Sequence, residues 1–168
     1  GTGALSNASG ASFDVSGGTA GVSYAGDITN NTQRVVAVSS KTAGTVSLSG
    51  AISGTGSSQG IFLNGNTGAT VAFSGPITLS TGANAALTAT GGGTVSATDT
   101  TSTLATTTGT ALNVANTNIG TGGLNFRSIT STSASANAGI VLQSTGTTAG
   151  LTVLGSGTAG SGCTISNK

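Results

Sequence analysis

A phrase of about nine residues returns along this chain at intervals of roughly two dozen, and that return limits the possible fold more than any single residue does. Its clearest form is TVAFSGPITL, Thr70 to Leu79. Val71 and Phe73 alternate with Ala72 in strand fashion, Gly75 and Pro76 make a corner, and Ile77 and Leu79 open a second alternating run. The phrase recurs as GVSYAGDIT from Gly21 and TVSLSGAIS from Thr45, and more loosely as GLNFRSIT from Gly123. A repeated strand, corner and strand is the coil of a solenoid.

Two ladders keep this beat. The first strand of each phrase starts at Val22, Val46, Val71, Val95, Leu124 and Leu151, in steps of 24, 25, 24, 29 and 27 residues. A second run has Phe13, Val36, Ile61, Ala85, Leu112 and Ile140 as its first inward positions, followed two residues later by Val15, Val38, Leu63, Leu87, Val114 and Leu142. The expected coil has three short strands, typified by Val71/Phe73 on side one, Ile77/Leu79 on side two and Ala85/Leu87 on side three. The fold class is therefore all-β: a right-handed parallel β-helix, or three-sided β-solenoid, of about six coils of 24–29 residues, forming one segment over 1–168. Coils stacked at about 4.8 Å would pair each strand with its copy in the next coil and give a rod of roughly 30 Å. Tyr24, Leu48, Phe73, Ala97 and Phe126 should then form one internal column, and Ile28, Ile52, Ile77 and Ile129 another.

The corners AGDI, SGAI and SGPI each place a Gly two residues before an inward Ile, which predicts positive φ at Gly26, Gly50 and Gly75. Pro76 has no N–H and belongs at the corner. The coil after Val95 lacks this glycine, so a longer turn is expected there, with Thr101 or Leu104 in the Ile column. Sides one and two read as small and polar outside. Side three reads as apolar on both faces, with Asp14, Ala37, Phe62, Ala86, Asn113 and Val141 outward. Ala37, Phe62, Ala86 and Val141 are accordingly expected as a lateral contact with another chain or rod.

Composition narrows the functional classes. Only seven residues are charged, there is no His, Met or Trp, and the net charge is +1, so the counterion release that drives nucleic-acid binding is unsupported. No apolar run reaches the roughly 18 residues of a membrane helix. The mean hydropathy of +0.25 and regular apolar spacing argue against disorder. Cys163 is the one cysteine, which excludes a disulfide framework; alternating with Ile165, it suits an inward position. Both ends break off within the pattern, as in a piece of a longer chain.

Chemistry is sparsely marked. The acids are Asp14, Asp27 and Asp99, expected on different sides or coils, and a glycosidase needs two carboxyl groups within about 5–10 Å. Ser and Thr are abundant but have no His to activate them. The Asp series of calcium-binding nonapeptides is absent. Gly91 to Gly93 lack a GK[ST] ending and read as a corner. The outward Thr residues are too mixed for an even ice-binding lattice. Lys41, Lys168, Arg34 and Arg127 read as solubilising. The expectation is a non-catalytic chain with no cofactor and no metal.

The C-terminal stretch GIVLQSTGTTAGLTVLGSGTAGSGCTISNK, Gly139 to Lys168, resembles the GI-x-L…GLTV-x-G…GSGGTI-x-N phrase of giant bacterial surface proteins with β-strand repeats, the adhesins and autotransporter-like passengers. Cys163 stands where that phrase has Gly. The resemblance covers about thirty residues in motif and most of the chain in style. It implies export to the bacterial cell surface as part of an extracellular fibre or adhesin, acting as a stiff spacer or laterally associating unit. Its partners would be neighbouring coils of the parent chain, further copies or other surface proteins, and a glycan. The alternative is a carbohydrate-binding or degrading β-helix such as a phage tail-fibre module.

Overall fold

The computed structural model describes residues 3–168. Among them are nineteen strands and no helix, in keeping with a chain rich in Thr and Gly and poor in strong helix formers. The strands fall into three parallel sheets to which each coil contributes one strand, so the molecule is a three-sided β-solenoid of about six turns. Side one stacks Val22–Tyr24, Thr45–Leu48, Thr70–Phe73, Thr94–Ala97, Asn118–Phe126 and Leu151–Val153. Side two stacks Leu5–Ser6, Ile28–Thr29, Ile52–Gly54, Ile77–Ser80, Thr103–Thr106, Ser128–Ser131 and Cys163–Ile165. Side three stacks Phe13–Ser16, Val36–Ser39, Ile61–Asn64, Leu87–Thr90, Leu112–Ala115 and Ile140–Gln143.

The apolar columns fill the space between the sheets. Val46, Val71, Val95, Ile52, Ile77, Ile61, Leu87 and Leu112 are all buried in one continuous core. Each such aliphatic side chain contributes about 1.5–3 kcal/mol. Backbone bonds run along the stack: the Ile28 N–H donates to Ala51 O at 2.8 Å and the Ile52 N–H to Pro76 O at 2.9 Å.

The register departs from even spacing in three places. On side three the rung after Ile61 is Leu87, and Ala89 lies beside Leu63; Ala85 is not in the column. The preceding turn takes up the difference, with Thr81 Oγ1 donating to Asn84 O at 2.8 Å and Asn84 N to Thr81 O at 3.0 Å. On side one Val95 faces Ile119, whereas Leu124 faces Ala97 and Phe126 faces Val153. The two-residue step from Val95 to Ala97 is matched by a five-residue step from Ile119 to Leu124. This bulge is glycine-rich because a Cβ on Gly120 or Gly122 would press on the methyls of Thr94 and Thr98. On side two the turn after Ala97 is longer, as expected, but neither Thr101 nor Leu104 follows Ile77. Thr103 faces Thr78, and Ile129 continues the Leu79–Leu104 column. Ser102 stands beside Ile77, and its hydroxyl accepts the Ile77 N–H at 2.9 Å, replacing the carbonyl that serves the Ile rungs before it.

The corners hold a further correction. Gly26, Gly50 and Gly75 do not have positive φ. Glycine is required there because successive corners nearly touch: a Cβ on Gly50 would collide with the Gly26 carbonyl, and one on Gly75 with the Gly50 carbonyl. Pro76 does lie between strands. Gly91 to Gly93 form a corner with φ of 78°, 107° and 82°. The other two corners are closed by buried polar side chains: Asn30, Ser58 and Thr81 between sides two and three, joined by Thr106 and Ser131 at the ends of their side-two strands, and Lys41, Asn66 and Thr117 between sides three and one.

Candidate functional site

Outside, side three carries one file in register: Asp14, Ala37, Phe62, Thr88, Asn113 and Val141. Three of the residues expected as a lateral contact, Ala37, Phe62 and Val141, stand in it. Ala86 does not. It is 0% exposed, because the two-residue shift leaves it before the strand instead of within it, at the corner position that the buried Val35 and Ala111 hold before Val36 and Leu112; its carbonyl accepts the Ile61 N–H at 2.8 Å. Thr88 occupies the rung beside Phe62, so the outer file is half polar.

The same shift opens a cleft of about 260 Å³ at the edge of side three, lined by Arg34, Gln59, Phe62, Asn84, Ala85 and Thr88. Arg34 is not a free surface cation. Its Nη1 donates to the Gln59 carbonyl at 2.7 Å, its Nη2 reaches Gln59 Oε1 at 3.4 Å, and its guanidinium carbon lies 4.9 Å from the centre of the Phe62 ring. Gln59 is held in turn, its Nε2 donating to Gln33 Oε1 at 3.0 Å. Burial pulls the Arg34 guanidinium below its ordinary value, though an arginine so placed stays charged. Asn84 is fixed by donating to the carbonyls of Ser57 and Ser58, both at 3.1 Å. The cleft thus offers a positioned cation, two anchored amides, a hydroxyl and a ring edge. Sequence spacing gave no sign of it, since Arg34 and Phe62 meet only once the rungs are stacked.

A second cleft, of about 330 Å³, lies on side one beside the bulge. Thr70, Thr94, Ser96, Asn118, Thr121 and Thr148 line it with hydroxyls and an amide, and none is charged. Side two is smoother: Thr29, Ser53, Thr78, Thr103 and Ser128 form an unbroken hydroxyl file, with Thr29 Oγ1 and Ser53 Oγ hydrogen-bonded at 2.9 Å. Thr130 belongs to the neighbouring file, beside Ala105.

The remaining chemical groups lie apart. Asp14 is on side three, Asp27 accepts the Ala51 N–H at the one-to-two corner, and Asp99 accepts from Thr101 on the same corner. Three rungs separate Asp27 from Asp99, about 14 Å at the usual strand spacing. The Thr101 hydroxyl, donating to Asp99 at 2.6 Å, holds that carboxyl below its ordinary value, with smaller contributions from other turn groups. Lys41, read as solubilising, is 1% exposed; its Nζ donates to the carbonyls of Ala20 at 2.8 Å and Gly18 at 3.4 Å. Cys163 is in register with Ile129 on the inward file but is exposed, since it lies on the last rung of its sheet. Among the described residues no group of three His, Cys, Asp or Glu side chains converges to hold a metal ion, and no helix is long and apolar enough to cross a membrane.

The geometry defines a class, a repeat protein of the β-solenoid type. No protein-family model, curated protein or solved structure matches the chain.

Proposed function

We propose that this chain is a non-catalytic structural segment of a secreted or cell-surface fibre or adhesin, serving as a stiff spacer. The observation that carries this reading is the set of three parallel ladders running in register through the stack. Bending such a rod must compress one side's hydrogen bonds and stretch another's, and extending it must break backbone bonds on all three sides together. The largely uncharged hydroxyl exterior also suits a passive shaft. Its two clefts, neither lined by a carboxylate, give it places to hold a ligand.

Immunogold labelling of intact and permeabilised source cells, with an antibody against this segment, tests the assignment. Labelling of intact cells along projecting fibres is the expected result. Labelling confined to permeabilised cells would remove the surface role.

A further inference from the structure

We propose that the side-three cleft binds a hexuronate unit of an acidic polysaccharide, with Arg34 taking the carboxylate. The inference is independent of the spacer reading, since a shaft without a ligand would still be a shaft.

The argument starts from Arg34. A guanidinium presents five N–H donors in a planar fork. Gln59 and the Phe62 ring fix the plane of this one while using only part of that fork. The lining residues besides Arg34 are uncharged, so no acid within the cleft competes for the remaining donors. A half-buried cation held in one orientation favours a planar anion that can accept two parallel bonds, which a carboxylate does.

The rest of the wall selects what carries the carboxylate. Asn84, whose two N–H groups are taken by Ser57 and Ser58, offers its Oδ1 as an acceptor, Gln59 keeps one N–H, and the Thr88 hydroxyl can donate or accept; about 260 Å³ admits a single ring-sized polar group. The apolar contribution is limited to Ala85 and the part of Phe62 that Arg34 leaves uncovered. A peptide carboxylate would bring no set of ring hydroxyls to meet the amide groups and Thr88. A hexuronate brings hydroxyls for the amides and Thr88, a C–H face for the ring edge, and the charge for Arg34. Thr88 is both a wall of the cleft and a member of the outer file, where Asn113 is next, so neighbouring sugars of a polymer would continue from Thr88 towards Asn113.

Galacturonic acid, its methyl ester and acetate, each titrated into isotopically labelled protein while backbone amide shifts are followed by NMR, test the proposal. Galacturonic acid should give saturable shifts at Gln59, Phe62 and Thr88. The ester, which lacks the charge, and acetate, which lacks the ring, should each bind at least about tenfold more weakly, the scale of a lost charge-assisted bond. Arg34→Gln should abolish the shifts. If that variant does not fold, Thr88→Val, nearly isosteric and still β-branched, should weaken binding about fivefold, as loss of a neutral hydrogen bond does. Absence of saturable shifts with galacturonic acid, shifts that persist in Arg34→Gln, equal affinity for acetate or the ester, or unchanged affinity in Thr88→Val would each overturn it.

Discussion

The one-to-two corner and the two-to-three corner turn the chain through the same triangle by opposite means. At the first, backbone meets backbone: Gly26, Gly50 and Gly75 stack so closely that no side chain fits between them. At the second, the chain swings wider and fills the space with polar groups. Asn30 shows how completely: its two Nδ2 protons are shared among Ala8 O, Gly10 O and Ser12 Oγ, all at 3.0–3.1 Å, while its Oδ1 accepts the N–H groups of Thr32 and Gln33. In the same corner of later coils the Thr106 and Ser131 hydroxyls lie 2.8 Å apart, and their two protons are shared between that contact and Gly109 O, 2.7 and 2.9 Å away. The tight corner therefore tolerates one residue type, whereas the wide one accepts any residue that satisfies the buried carbonyls and N–H groups.

That contrast can be broken most directly at Gly50. Gly50→Val should cost about 3 kcal/mol or more, as forced overpacking against backbone does, read as a drop in the urea midpoint. Gly17→Ala is the control. Gly17 has φ of 70° but open space around it, so only the left-handed backbone is strained and the loss should be about 1 kcal/mol.

At the wide corner, Asn30→Ala should cost about 2 kcal/mol, because it empties a buried site and leaves the part-buried carbonyls and N–H groups that the amide now pairs without their partner. Asn30→Asp keeps the acceptor but sets a carboxylate against the Ala8 and Gly10 carbonyls, and it should be no better. A repeat that merely needed a small polar residue here would give a much smaller loss.

Lys41 sharpens the comparison at the third corner. Lys41→Met retains the stem and removes the ammonium that serves Gly18 and Ala20, and should cost about 1–2 kcal/mol. Lys168→Met, at an exposed end, should be close to neutral in the same denaturation experiment.

The smallest expected effect is at Asp99, where the coil that lost its glycine is turned by side-chain bonds instead. Its carboxyl is held below its ordinary value in the fold, so the stabilisation is present above the unfolded value near 3.9 and fades as pH falls through the lower folded value. Between about pH 5 and about pH 2.5 the urea midpoint of the native chain should fall slightly more than that of Asp99→Asn. Equal slopes would mean that the turn does not depend on the charge.

Much of this architecture was legible beforehand, and the reason is periodicity. Val22, Val46, Val71 and Val95 share a column because each inward position of a solenoid faces its own copy one coil away, so stacking repeats the apolar residue along the chain. The glycine corners were legible as corners but not in mechanism, since spacing shows where a glycine recurs and not whether φ or a neighbouring carbonyl demands it. Where a turn gained residues, as before Leu87 and between Ile119 and Leu124, counting at a fixed interval assigned Ala85, Leu124 and Phe126 to the wrong rungs and Ala86 to a strand that it precedes.

What the sequence determined by itself was the stack: three short strands per coil, parallel pairing and an aliphatic interior, all consequences of a repeat that buries one face of every strand. Only the tertiary structure decided which polar residues are internal and which neighbours share a cleft. Lys41 is buried and Arg34 lies on Phe62 because of how far each corner carries the chain before the next strand begins; two extra residues there keep each strand's inward and outward faces but change which groups become neighbours.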